Sequence, residues 1–267
     1  MRFTRVSAIV LRQFYLLRGS PARVIPLFAW VTIDIVLWGF ITRYLNTFTG
    51  SSFNFVPALL GAVLLWDFFI RVMQGVSMAF LEDVWSRNFL NVFATPLSIS
   101  EYVSGLVLSS IATSSVGLLV MLFLAIVVFG LSFFLYGLVM IPFLLILFAF
   151  GIALGIAASA IVLRLGPAAE WFVWPIPALI SPFAAVFYPL STLPRWMRSI
   201  SYALPPSYVF ENLRAIISGH AVSTSSLVVG GCLATLDIAI AGWFFGSVYR
   251  NAVRTGLIAR YSAESVS

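Results

Sequence analysis

The chain has no lysine, one cysteine and one histidine. The phosphate-binding loop of common ATPases needs a lysine side chain, so this chain cannot form one. A single cysteine excludes an intrachain disulfide, and one cysteine with one histidine is too few for a structural zinc site. No nucleophile elbow or paired carboxylate motif is present either. We therefore expect no catalytic residue, metal site or cofactor in this chain.

Charged residues are also scarce, at 9% of the sequence, whereas 61% of residues are hydrophobic and the mean hydropathy is +1.06. Soluble domains carry about 25% charged residues. A chain this apolar cannot cover itself with polar surface, which predicts an all-α integral membrane protein surrounded by lipids. The excess of arginine over acid is typical of membrane-flanking charge, so we expect no nucleic-acid partner.

The apolar runs predict six transmembrane helices, since about 20 residues cross the hydrocarbon layer. The predicted spans are 24–43, 56–80, 104–129, 135–163, 171–190 and 226–249. Three prolines in the fifth span predict kinks there. With the N-terminus inside, most arginines outside the spans fall in inner segments, which predicts that both termini are cytoplasmic.

The first 23 residues are predicted to form a separate unit, residues 1–23, ahead of a six-span domain, residues 24–267. Plotted as a helix, residues 3–18 place apolar side chains on one face and arginines largely on the other. This pattern favours an amphipathic helix lying in the inner membrane interface. The alternative is an ordinary basic flank that only sets topology.

The segment LEDVWSRNFLNVFATPLSISEYVSG, residues 81–105, lies between two apolar runs in the predicted cytoplasm. Its mixture of apolar and charged positions predicts a short surface helix over about residues 82–96, ended by Pro96. Because the chain has no soluble domain for such a helix to contact, the helix lies on the membrane or docks on another protein.

A second segment, FYPLSTLPRWMRSISYALPPSYVFENLRA, precedes the last span. Its apolar stretches are too short to cross a membrane and are broken by prolines. They predict a re-entrant hairpin over about residues 190–214 at the outer face.

Together these segments resemble the permease subunit of type-2 ABC exporters, over essentially the whole chain. The resemblance implies a bacterial inner-membrane homodimer in which each copy sits on an ABC ATP-binding subunit that binds ATP and Mg²⁺. It also implies that the cytoplasmic helix acts as a coupling helix. The residues in that role would be Glu82, Asp83, Arg87, Asn88, Thr95 and Pro96. The expected cargo is an amphipathic or lipid-like small molecule, and a surface polysaccharide or lipid-linked glycan is the alternative.

Charged residues inside the predicted spans are candidates for the translocation path, because such groups are costly in a bilayer unless paired or hydrated. Asp67 and Arg71 stand four residues apart, in the order that favours a helical ion pair. They form either a polar patch on the translocation path or a structural ion pair that holds the helix bundle together. Asp34 is either a substrate contact or a packing contact. Further candidates for an outer gate, or for bracing the hairpin, are Pro205, Pro206, Glu211 and Arg214. For Glu211 and Arg214 the alternative is ordinary solvated charge.

A proton-coupled secondary carrier is the alternative from a different class. It would use Asp34, Asp67 and Asp237 as a proton relay. The sequence shows no internal repeat of the kind common in such carriers, and a carrier leaves residues 81–105 unexplained.

Overall fold

The long helices follow the apolar segments of the sequence. The computed structural model describes residues 2–49, 56–86, 89–131 and 136–256, and these residues contain no β-strand. Their α-helices are α1 Phe3–Arg18, α2 Pro21–Thr49, α3 Gly61–Trp85, α4 Phe89–Ala94, α5 Ile99–Phe129, α6 Met140–Leu165, α7 Ile176–Ala184, α8 Arg195–Ser201, α9 Pro205–Ile217 and α10 Thr224–Arg254.

The centre of the bundle is α3, which packs between α5 and α6, while α6 packs against α10. Glycines make the α3–α6 contact close. A Cβ atom on Gly155 would lie 2.7 Å from the Met73 carbonyl oxygen, and one on Gly151 would lie 2.9 Å from Val72 Cβ. Only glycine allows the two backbones to approach this closely.

Five of the described helices are long and apolar enough to cross a membrane: α2, α3, α5, α6 and α10. The prediction of one long helix for the fifth span, residues 171–190, is wrong. A 3₁₀ helix, Pro167–Phe172, is followed by a turn and then by the nine-residue α7. Pro175 and Pro177 explain the break, because proline lacks an amide donor and disfavours helix at the preceding residue.

The predicted N-terminal helix is present as α1, and Gly19 and Ser20 separate it from α2. Helix α1 packs on α5, where a Cβ atom on Gly105 would lie 2.6 Å from Ile9 Cβ. The end of the bundle that holds α1, α4 and the last turns of α3, α6 and α10 is called the α1 end below. The opposite end, with α8, α9 and the first turn of α10, is called the α9 end.

Candidate functional site

A cavity of about 820 Å³ lies between α2, α3 and α5, beside α1. Its size is in the range of pockets that hold drug-sized molecules. Its charged lining includes Asp34 from α2, with Asp67 and Arg71 from α3. Tryptophans contribute from α2, from α3 and from the turn before α7, namely Trp30, Trp85 and Trp174. The cavity therefore combines charged groups with large aromatic surfaces.

The Arg71 guanidinium interacts electrostatically with both aspartates, one on its own helix and one on α2. Gly117 of α5 gives the arginine side chain room, since a Cβ there would lie 3.2 Å from Arg71 Cδ. Asp67 Oδ2 is buried without a hydrogen-bond partner among the described residues. The structure thus brings together the three charged residues that the sequence marked in the first two spans.

Asp237 lies elsewhere, on α10, and does not line this cavity. Helix α10 packs on α6 and α9 rather than on α2. The three aspartates of the proton-relay hypothesis are therefore not gathered at one site.

Ion pairs attach α1 and the first turn of α2 to the neighbouring helices at the α1 end of the bundle. Arg12 pairs with Asp83, and Arg23 pairs with Glu82 at 2.6 Å. The Arg5 guanidinium lies 3.3 Å from the Glu101 carboxylate, which also accepts a 2.7 Å hydrogen bond from the Arg2 amide. Helix α1 is thereby joined to the end of α3 and the start of α5.

Asp83 is part of the interior rather than of the surface. Its side chain is fully buried, and the Tyr102 hydroxyl donates a hydrogen bond of 2.7 Å to Oδ2. Glu82 is only partly exposed beside Arg23. Both residues belong to the last turns of α3, not to a separate cytoplasmic helix, because α3 continues to Trp85.

The exposed part of residues 81–105 begins after α3. Helix α4 spans only six residues, and Thr95 and Pro96 after it are both exposed. Arg87 and Asn88, also predicted at the coupling surface, lie outside the described residues. We call Asn91, Ala94, Thr95, Pro96 and Ser98 the α4 surface, since all are exposed at the α1 end.

At the α9 end, residues 190–214 contain two short helices, α8 and α9, joined by a three-residue turn. Pro205 and Pro206 form the first turn of α9, where proline suits helix initiation because that turn has no internal amide partners. Glu211 accepts a 2.7 Å hydrogen bond from the Leu190 amide and pairs with Arg214 at 2.9 Å. Arg214 also donates to the Ala185 carbonyl at 2.8 Å. These contacts join α9 to the irregular chain after α7.

This helical membrane architecture agrees with the comparison to known families. Residues 4–218 match the family model described as ABC-2 type transporter. The chain belongs to this family. The resemblance found in the sequence is thereby confirmed. A search of curated proteins finds no significant match.

ABC-2 family proteins are multi-pass membrane permease components of ABC transporters, generally without an ATPase site of their own. Membership implies that this permease has an ABC ATP-binding partner. The lack of lysine agrees with an ATP-binding site on a separate subunit.

Several structurally important residues of the permease were missed from the sequence. Arg12 and Tyr102 contact Asp83 across long sequence separations, which no local pattern reveals. The start of α5 did have a sequence signal, because Ser98 and Glu101, three residues apart, form a capping box there. A further contact, 2.6 Å from Trp85 Nε1 to the Glu170 carboxylate, joins the end of α3 to the 3₁₀ helix after α6.

Proposed function

We propose that the chain is the permease subunit of an ATP-driven exporter that moves an amphipathic or lipid-like small molecule outward across a bacterial inner membrane. The observation that supports this most is the cavity between α2, α3 and α5. Its charged centre and aromatic walls suit a molecule with both a polar group and a large apolar body. A long hydrophilic glycan would instead need hydrogen-bonding groups along an extended path.

Two copies form the functional unit in this proposal. On α2 a row of large side chains is between 53% and 64% exposed, with the spacing of a helix-packing seam. The row is Trp30, Ile33, Leu37, Phe40 and Tyr44. Trp30 also lines the cavity, so a second copy packed on this row would place the two cavities side by side.

The ATP-binding partner docks on the α4 surface. ATP and Mg²⁺ bind to that partner, and both termini of the permease are cytoplasmic. Movement of the α4 surface would reach α5 through the Ser98–Glu101 capping box, and α1 through the contacts of Arg2 and Arg5 with Glu101. We therefore assign coupling contacts to Thr95 and Pro96, and an anchoring role to Asp83.

Cysteine crosslinking tests the docking surface, because the chain has one cysteine that can be removed by Cys232→Ser. A Thr95→Cys variant in that background should crosslink to a copurifying ATP-binding protein in native membranes. Ser191→Cys, exposed at the α9 end, is the matched control and should not. If the chain purifies alone and Thr95→Cys gives no crosslink, the docking proposal fails.

The seam is tested in the same background. Leu37→Cys should form a disulfide-linked dimer on mild oxidation, whereas Leu119→Cys, on the exposed side of α5, should not. Equal crosslinking at both positions would indicate random collision rather than a seam.

Transport itself is tested in inside-out vesicles containing the permease and its partner. ATP-dependent uptake of an amphipathic dye that persists after the proton gradient is collapsed supports export. Uptake that follows the gradient and ignores ATP would support a secondary carrier.

A further inference from the structure

A second pocket, of about 610 Å³, opens between the last turns of α6 and α10 at the α1 end, separate from the cavity described above. Among the described residues, its cationic lining consists of Arg164, Arg250 and Arg254, and none of the described lining residues is acidic. Within the part of the chain that the structure describes, none of the three forms an ion pair. The pocket is thus a local concentration of positive charge that the transport proposal does not use.

The side chains that line the pocket from α10 change character along the helix. The residues on this face are, in order, Trp243, Ser247, Arg250, Asn251 and Arg254. From the indole to the last guanidinium the helix rises about 17 Å. An indole, a hydroxyl, a guanidinium, an amide and a second guanidinium thus follow one another toward the helix end. A phospholipid presents its acyl chains, ester groups and phosphate in the matching order.

The length of α10 places this face at the membrane boundary. The helix has 31 residues, and about 20 suffice to cross the hydrocarbon layer. Tryptophan favours the boundary between hydrocarbon and headgroups, and arginines beyond it reach the phosphates. Trp243 and Arg250 lie on one face in that order.

A simpler explanation covers only part of the arrangement. Arg164 and Arg254 stand in the last turns of their helices, where cations complement the helix dipole. That effect does not require the two helix ends to face one pocket, nor Arg250, Ser247 and Asn251 to line the same pocket. An anion would bind where these groups converge on one pocket, as they do here.

We propose that this pocket binds a phosphate-bearing anion, namely the headgroup of an anionic phospholipid of the inner leaflet. Guanidinium groups suit this ligand because each can donate two parallel hydrogen bonds to phosphate oxygens. Val248 and Ala252 lie on the buried side of α10 and pack the helix against the bundle. The backbone that carries the arginines of this helix is therefore held in place.

The test measures lipid binding to the full chain in mild detergent by native mass spectrometry, with phosphatidylglycerol and phosphatidylcholine as probes. The pocket variant is Arg164→Gln/Arg250→Gln. The matched control is Arg18→Gln/Arg195→Gln, which removes two exposed arginines outside the pocket. We expect the wild-type chain and the control to prefer phosphatidylglycerol, and the pocket variant to bind it about 10- to 30-fold more weakly.

Equal weakening in the pocket and control variants would overturn the proposal, because the attraction would then follow overall charge. So would equal binding of the two lipids by the wild-type chain. If the double variant does not accumulate, Arg250→Gln alone is measured, and unchanged phosphatidylglycerol binding there would also overturn it. Arg250→Lys keeps the charge and should retain most of the binding.

A competition experiment distinguishes a lipid headgroup from a soluble phosphate as the ligand. Soluble glycerol 3-phosphate, added at the same concentration as the lipid, should displace little of it, because the acyl chains pack beside Trp243. Displacement as effective as that by phosphatidylglycerol would overturn the lipid assignment in favour of a soluble phosphate. All readouts are binding, so they stand independently of the transport proposal.

Discussion

Tyr102 of α5 donates a hydrogen bond of 2.7 Å to Asp83 in the last turns of α3, and both side chains are fully buried. Arg12 of α1 pairs with the same carboxylate. One aspartate therefore joins three helices at the end of the bundle where the partner subunit is proposed to dock. The ion pair and hydrogen bond offset the cost of burying its charge.

Replacing Asp83 by Ala should lower the free energy of unfolding by about 3 kcal/mol, because it leaves Arg12 and the Tyr102 hydroxyl without their buried partner. Tyr102→Phe should cost about 1 kcal/mol, the loss of one hydrogen bond. Unfolding in detergent, followed by tryptophan fluorescence, measures both.

Glu82→Ala is the matched control for Asp83→Ala. Its partner Arg23 is 42% exposed to solvent, so the loss should be below about 1 kcal/mol. If both alanine variants lose the same stability, the buried role of Asp83 is wrong.

Gly155→Ala should destabilise the bundle by about 1–3 kcal/mol, because the new methyl group would press on the Met73 carbonyl and force α3 and α6 apart. Gly242→Ala on α10 provides the comparison, since no atom of the described residues lies within 4 Å of its added Cβ. Gly242→Ala should be neutral or slightly stabilising, because alanine favours helix over glycine. Thermal unfolding of the two variants side by side decides this, and a Gly155→Ala variant as stable as wild type would contradict the observed packing.

Arg214→Ala should loosen the chain between α7 and α8, because the side chain bonds to the Ala185 carbonyl and to Glu211. Faster hydrogen exchange at residues 185–193, with little change in α6, is the expected result. Arg195→Ala is the control, as this exposed arginine forms no ion pair in the described residues. Unchanged exchange in the Arg214→Ala variant would show that these bonds do not hold the segment.

Asp34→Asn and Asp67→Asn should each weaken binding of a cationic amphipathic probe by about 10-fold, since each removes a negative charge beside the cavity. Asp237→Asn should leave binding unchanged, because Asp237 lies outside the cavity. Quenching of the cavity tryptophans reports the affinity. An equal effect of all three substitutions would favour the relay of three aspartates instead.

Hydropathy and proline positions predicted much of the architecture. The apolar runs located α2, α3, α5, α6 and α10, because crossing a bilayer requires long, continuous, hydrogen-bonded helices. The error came at residues 171–190, where one continuous helix was predicted. Three prolines had been treated as kinks, yet Pro175 and Pro177 end one helical segment and start another.

The site was predicted less completely. Asp34, Asp67 and Arg71 stood out because ionisable groups are rare in apolar segments, and the cavity indeed contains all three. The sequence placed Asp83 on a surface helix, since acids in a polar segment are usually solvated. Its burial depends on Arg12 and Tyr102, which approach only after α1 and α5 pack on α3.

The sequence by itself determined that this chain is an integral membrane protein, that it has no phosphate-binding lysine for ATP, and which family it belongs to. These follow from composition and local motifs, which do not depend on how helices meet. The tertiary structure alone decided which charges are paired, which helices enclose the cavity, and which arginines share a pocket. Those depend on contacts between residues far apart in the chain, and such contacts exist only once the helices have packed.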